Sequence, residues 1–133
     1  MKTYSKVIEK IELAEDYLLR KRNKEAETIL DKLIIKTPNN YKVWLLSGIT
    51  KRRLGKLKKA VYSFKKVVEL DSSIEEGWGL LTITYCELKN VKKAKNTIIK
   101  ASELNPSNER LEFYKDNLIR IYLNFGPFFL DYE

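Results

Sequence analysis

Residues 75–108 read EEGWGLLTITYCELKNVKKAKNTIIKASELNPSN, a pattern that occurs twice earlier in the chain. Shifting the sequence by 34 residues aligns it with itself without a gap and gives three units, 7–40, 41–74 and 75–108. In every unit an alanine recurs in one column, and a large apolar residue follows four positions later, which is helical spacing. These columns hold Ala26, Ala60 and Ala94, then Leu30, Phe64 and Ile98. A fixed period of this kind predicts stacked helical units.

Each unit reads as two helices joined by a short turn, and helix-ending residues separate the units. The unit ends carry Thr37-Pro38, Asp71-Ser72 and Asn105-Pro106. Proline cannot continue the preceding helix, and small polar residues cap the next one. Two antiparallel helices pack closely only where small residues meet, and the alanine column together with Gly48 supplies such residues. The sequence therefore predicts three helical hairpins.

The pattern resembles the tetratricopeptide-repeat family. Its signature is carried by Trp78-x-x-Leu81-Thr82-x-x-Tyr85, then Ala94-x-x-x-Ile98 and Pro106. The first unit has Lys10 in the tryptophan column, while the second has Lys51 in the tyrosine column and Ser72 in the proline column. The resemblance covers residues 7–108. It implies an all-α fold, a right-handed α-solenoid of three helix-turn-helix repeats.

The segment after the third unit carries one more helix and an aromatic end. Apolar residues between Leu111 and Phe125 trace a single stripe, which predicts a capping helix over residues 109–124. Gly126-Pro127 ends that helix and leaves an aromatic tail, residues 125–133. We expect one domain over residues 1–133. Three alternatives stay open for the tail: it packs against the last helices, it fills the groove, or it mediates self-association.

The residue inventory argues against an enzyme. The chain has no histidine and one cysteine, so a zinc site, a histidine general base and an intrachain disulfide lack their usual residues. Neither a glycine-rich phosphate loop nor an oriented carboxylate pair is present. We therefore predict no catalytic residue, no cofactor and no metal. No apolar run approaches the ~18 residues of a membrane span and no secretory signal is visible, so we expect a cytoplasmic protein without a transmembrane segment.

The resemblance implies a concave groove, lined by the first helix of each repeat, that receives a peptide or helix of a partner. Carrying over the family's groove columns gives the partner-groove residues Ile11, Glu15, Leu45, Leu46, Ile49, Arg52, Arg53, Leu80, Ile83 and Phe113. This set is apolar with charged flanks, which suits an amphipathic helix or a hydrophobic segment. The alternative is that the aliphatic members pack inside the array.

The best-known ligand of this family's groove is the acidic C-terminal tail of heat-shock chaperones, held by lysine, asparagine and arginine side chains. The matching columns here hold Ile11, Glu15, Leu46, Glu76 and Leu80. None of these side chains donates a hydrogen bond to a carboxylate, and the two glutamates repel one. We therefore expect no chaperone-tail clamp.

The chain carries a net charge of +8, and its basic residues gather around the turn inside each repeat. The predicted basic edge comprises Lys51, Lys56, Lys58, Lys59, Lys92 and Lys93. Such a stripe attracts RNA, DNA, anionic membranes or acidic proteins, and all of these contacts weaken with salt. A charge run is also typical of a merely solvated edge, and no aromatic residues are interleaved here to stack bases.

Two functions fit these features. The first is a non-enzymatic adaptor that binds a protein or peptide partner in the apolar groove. The alternative is a nucleic-acid-associated or assembly factor that contacts anionic partners through the basic edge. Nuclease-sensitive and salt-sensitive binding is the signature of the second.

Overall fold

The computed structural model describes residues 2–125, and all secondary structure in that range is helical. Contacts divide the chain into two compact units, which are larger than the three units of the sequence repeat. The first compact unit ends at Leu70 and the second begins at Asp71, and these two are called the first and the second unit of the structure. The first unit contains α1 (Lys2–Leu19), α2 (Asn23–Lys36), α3 (Tyr41–Arg53) and α4 (Leu57–Leu70). The second contains α5 (Glu75–Glu87), α6 (Val91–Leu104) and α7 (Glu109–Phe125). The predicted all-α repeat fold is confirmed.

Helix α7 begins where the sequence predicts and ends one residue later than expected, at Phe125. Within the second unit it packs on α6 and, more lightly, on α5. The predicted aromatic tail lies outside the described residues from position 126 onward. The single-domain organisation stays a prediction.

The turn inside each hairpin has the same backbone in all three repeats. Lys21, Gly55 and Lys89 share one column, and their φ angles are 60°, 77° and 64°. Directly after them, an amide reaches back across the turn, as the Arg22 N–H does to the Tyr17 carbonyl at 2.8 Å. This is the Schellman ending of a helix, in which a left-handed residue lets carbonyls of the last turn accept hydrogen bonds. Glycine adopts that conformation without strain, whereas lysine does so at a cost.

The two helices of the middle hairpin approach closely where Gly48 on α3 faces Phe64 on α4. A Cβ atom on Gly48 would lie 2.4 Å from the Phe64 ring, well inside van der Waals contact. Phe64 is completely buried, so the ring has little room to retreat. In the other two hairpins the same columns hold Ala14 with Leu30 and Thr82 with Ile98, all buried. Among the three hairpins, the largest side chain in the second-helix column, Phe64, therefore faces the smallest residue in the first-helix column, Gly48.

A tryptophan fastens two of the first helices to the turn that precedes them. The Trp44 indole N–H donates to the Pro38 carbonyl at 2.7 Å in the first unit. In the second unit the Trp78 indole N–H donates to the Ser72 carbonyl, also at 2.7 Å. Both rings are nearly buried, where an indole N–H without a partner would be destabilising. The tryptophan column predicted from the sequence therefore positions each helix start.

Lys51 is an internal ion-pair residue, which corrects its predicted place on the exposed basic edge. It is only 9% exposed. Its Nζ lies 2.8 Å from a Glu27 carboxylate oxygen and 3.1 Å from an Asp31 oxygen, both on α2. The Nζ of Lys56 lies 2.8 Å from the same Glu27 oxygen. The acidic partners come from the preceding hairpin, so the local run of basic residues could not reveal them.

The Lys51 network shifts two pKa values in opposite directions. Hydrogen bonds from Lys51 and then from Lys56 hold the pKa of Glu27 below its ordinary 4.5. Burial pushes the pKa of Lys51 down, but hydrogen bonds to Glu27 and Asp31, with their charges, together leave it above its ordinary 10.5. Both groups are therefore charged at neutral pH, and the network joins the first hairpin to the second.

We expect Gly48→Ala to lower the free energy of unfolding by about 1–3 kcal/mol, because the new methyl group overpacks against Phe64. Equilibrium unfolding in urea measures the change. Adding Phe64→Leu should make the double variant less destabilised than the sum of the single changes. Gly79→Ala is the matched control, because a Cβ there meets no described residue within 4 Å. This variant should be more stable than the parent by up to about 1 kcal/mol. Strict additivity would contradict the close approach.

Removing Lys51 should destabilise the first unit, because Glu27 and Asp31 would lose their cation. We expect Lys51→Met to lower the free energy of unfolding by about 1–3 kcal/mol at neutral pH. Lys58→Met, at an exposed position of α4, is the control and should change it by about 0.5 kcal/mol or less.

The contribution of Glu27 should depend on pH. Folding lowers its pKa, so its stabilisation is present above pH 4.5 and is lost as the pH falls through the lowered folded value. The difference in unfolding free energy between the parent and Glu27→Gln should therefore shrink in acid. Urea unfolding across a pH series measures this difference, and a constant value would show that the Glu27 charge contributes nothing.

Candidate functional site

The second unit contains an apolar pocket of about 440 Å³ formed by α5 and α7. We call it the α5/α7 pocket, and its lining residues are Glu75, Glu76, Gly79, Leu80, Ile83, Arg110 and Tyr114. Positions 76, 79, 80 and 83 follow helical spacing, so they lie along one face of α5. Leu80 and Ile83 are only half-buried. Apolar side chains are therefore open to a ligand on this face.

Charged side chains from both helices complete the α5/α7 pocket. Arg110 on α7 lies 3.8 Å from one carboxylate oxygen of Glu75, and the Asn108 side-chain amide donates to the other at 3.4 Å. Glu76 is exposed. Two carboxylates against one guanidinium make this region locally acidic, although the whole chain carries a net charge of +8.

Two predicted groove residues line this pocket, and a third lies next to it. Leu80 and Ile83 are the two that line it. Phe113 on α7 is 55% exposed, and its ring meets that of Tyr114 edge-on with centroids 6.1 Å apart. Sequence reasoning did not assign Gly79, Arg110 or Tyr114. The four-residue spacing from Ile83 could have identified Gly79, but the α7 residues depend on how α7 packs against α5.

In the first unit, three predicted groove residues are interior. Ile11, Leu45 and Leu46 are 7%, 8% and 9% exposed, and Ile11 and Leu46 belong to the core cluster that includes Leu30. Their predicted role as open groove surface is therefore corrected, because packing consumes nearly all of their accessible area. Ile49 is half-buried, and its groove assignment stays a prediction.

The charged groove residues of the first unit contact other parts of that unit. Glu15 lies 3.5 Å from the Lys42 ammonium group. An Arg53 N–H donates to the Leu18 carbonyl at 2.8 Å, which joins the end of α3 to the end of α1. Arg52 is half-buried and also takes part in an interaction. Arg53 therefore has a structural role in addition to any contact with a partner.

The remaining residues of the predicted basic edge lie at the surface. Lys56, Lys58 and Lys59 are exposed in the first unit, and Lys92 and Lys93 are exposed in the second. Lys58, Lys59, Lys92 and Lys93 lie in the first turns of α4 and α6, where a positive charge opposes the helix dipole. The dipole therefore does not explain these lysines. A basic edge made of them stays a prediction.

A larger depression of about 630 Å³ in the second unit is lined mostly by polar residues, and both of its asparagine side chains already form hydrogen bonds within the unit. Its lining residues are Ser73, Asn105, Pro106, Ser107, Asn108, Glu109 and Arg110. The Asn108 side-chain oxygen accepts from the Leu111 N–H at 3.1 Å and caps α7. The Asn105 amide donates to the Ser72 carbonyl at 2.8 Å. This depression is an arrangement of turns, so the α5/α7 pocket is the better candidate site.

The part of the chain that the structure describes contains one cysteine, Cys86, which is buried and free. No group of three or more Cys, Asp or Glu side chains in it could hold a metal ion. No helix in it is long and apolar enough to cross a membrane. Burial, and then the charge of Glu87, raises the pKa of the Cys86 thiol to about 11. Since the thiolate is the reactive form, this buried cysteine is a poor nucleophile at neutral pH.

Comparisons with known proteins agree with this architecture. The family model described as Tetratricopeptide repeat matches residues 41–74, the bounds of the second unit of the sequence repeat. No curated protein matches the chain by sequence.

Solved structures are similar in fold at low sequence identity. The type III secretion translocator chaperone SycD of Yersinia enterocolitica has a TM-score of 0.74 and 13% identity, covering 88% of this chain and 93% of its own. SycD in complex with a peptide of the translocator YopD has a TM-score of 0.73 and 13% identity, covering 91% and 95%. A MamA point mutant has a TM-score of 0.68 and 23% identity, covering 74% and 72%. The middle repeat therefore matches the tetratricopeptide-repeat family model, and the chain shares its fold with these solved structures.

Proposed function

We propose that the chain is a non-enzymatic interaction module that binds a peptide or helix of a protein partner. The observation that carries this proposal is the α5/α7 pocket, in which Leu80 and Ile83 are half-buried and Tyr114 lies opposite them on α7. Concave, mostly apolar sites with a few charged groups are typical of ligand recognition. The α5 face presents its residues at the spacing that an amphipathic partner segment uses.

The similar structures support a peptide as the ligand class. SycD, which shares this fold, is known in complex with a peptide of its translocator. The acidic-tail ligand of the chaperone clamp fits poorly. In the clamp columns, Ile11 and Leu46 are buried and Glu15 pairs with Lys42. The remaining two columns hold Glu76 and Leu80, and neither side chain can donate to a carboxylate.

The second candidate function is binding of an anionic partner, such as nucleic acid, through the basic edge. The exposure of Lys58, Lys59 and Lys92 favours it. Two observations reduce the available charge: Lys51 is buried against Glu27 and Asp31, and Lys56 also pairs with Glu27. We therefore rank this function below peptide binding.

Peptide binding should be detectable by panning the immobilised full chain against a random-peptide phage library and titrating the selected peptides by fluorescence anisotropy. We expect apolar peptides to be selected. Leu80→Asp should weaken their binding by about 10-fold or more, because it places a charge in the apolar pocket. Asn96→Asp, at an exposed position of α6, is the control and should leave binding unchanged. Circular dichroism of each variant verifies the fold.

The same titrations with labelled single-stranded RNA and duplex DNA separate the two candidate functions. Nucleic-acid binding through the basic edge would weaken steeply with added salt and in the double variant Lys58→Glu, Lys59→Glu. If the library yields no specific peptide while nucleic acid binds in this manner, the second function replaces the first.

A further inference from the structure

Gly79 is a glycine that packing among the described residues does not explain. It lies inside α5, where glycine is less favourable than alanine because it gives up more chain entropy on folding. Gly48 also lies inside the first helix of a repeat, but a Cβ there would collide with Phe64. Among the described residues, a Cβ on Gly79 would meet nothing within 4 Å. None of these residues therefore requires a glycine at this position.

The missing side chain instead leaves open space in the α5/α7 pocket. Gly79 lies among its lining residues, between Glu76 and Ile83 on the same face of α5. The volume of about 440 Å³ falls within the range of about 300–1,000 Å³ that is usual for ligand sites. A large side chain at position 79 would point into this volume and reduce it. The absence of a side chain at position 79 is therefore explained by the volume of the pocket, since packing among the described residues does not explain it.

The charges around the pocket define the ligand further. Glu75 is already engaged by Arg110 and Asn108, whereas Glu76 is exposed on the same helix face as Gly79. A ligand cation beside the pocket gains from Glu76, and a ligand carboxylate is repelled by it. Beside the pocket, a cationic ligand group is therefore favoured over an anionic one. The whole chain has the opposite effect, because its net charge of +8 attracts anions over longer distances.

We propose that the α5/α7 pocket, kept open by Gly79, receives a large apolar side chain of a partner segment that carries a lysine or arginine beside it. The partner chemistry is thus an amphipathic segment with an apolar face and a basic flank. This inference rests on the proposed peptide-binding function and specifies its ligand.

Two labelled synthetic helical peptides with the same leucine face test the proposal, one with lysines beside that face and one with glutamates. At moderate salt the lysine peptide should bind about 5- to 10-fold more tightly to the full chain, against the direction of the net charge. Glu76→Lys should abolish or reverse this preference. Gly79→Leu should weaken lysine-peptide binding by about 10- to 100-fold, because its side chain fills the space of the anchor.

Two controls separate a blocked pocket from a damaged fold. Asn96→Leu, at an exposed position of α6, should leave binding unchanged. Thermal unfolding of Gly79→Leu should show a stability at least equal to that of the parent, since leucine favours a helix more than glycine does. If Gly79→Leu proves unstable, the Glu76→Lys result decides the proposal.

The outcomes also distinguish this inference from the function on which it rests. The pocket assignment alone is overturned if the chain selects library peptides but prefers the glutamate peptide or binds neither synthetic peptide. The same conclusion follows if the Gly79→Leu variant is stable and binds the lysine peptide as tightly as the parent does. A chain that selects no library peptide overturns both the function and the pocket assignment.

Discussion

The close approach of two helices within a hairpin is the constraint on which this structure depends. In the middle hairpin it takes its strictest form, because Gly48 on α3 leaves no space between itself and the buried Phe64 ring. Packing at this density fixes the distance between the helices. The left-handed turn residue lies at the end of the first helix, and the tryptophan hydrogen bond joins the start of that helix to the preceding turn. These two features fix the helix ends, whereas the glycine contact fixes the distance between the helices.

The sequence predicted the fold well because every determinant of the hairpins repeats at a fixed spacing. The alanine column, the large apolar column and the turn residues each occur three times, so agreement among them identifies the helices. The column of Lys21, Gly55 and Lys89 holds only one glycine, so its common left-handed geometry was not evident from the residues. A structural feature whose characteristic residue occurs in only one of the three repeats was therefore harder to predict from the sequence.

The candidate site was predicted less well, since exposure depends on which surfaces meet. Family columns indicated Leu80 and Ile83, which line the α5/α7 pocket, but also Ile11 and Leu46, which are buried in a core cluster. Both pairs are aliphatic residues on first helices, and no local pattern separates them. The packing of α7 against α5 brings Arg110 and Tyr114 to the pocket, a relation between helices that are not adjacent in sequence.

Lys51 makes the order of the repeats matter. Its partners, Glu27 and Asp31, occupy two columns of the preceding repeat. One repeat later, those columns hold Val61 and Lys65. A tandem copy of residues 41–74 would therefore place its own lysine against an aliphatic side chain and a like charge. The middle repeat is specific for its predecessor, so the three hairpins share a backbone plan but are not interchangeable modules.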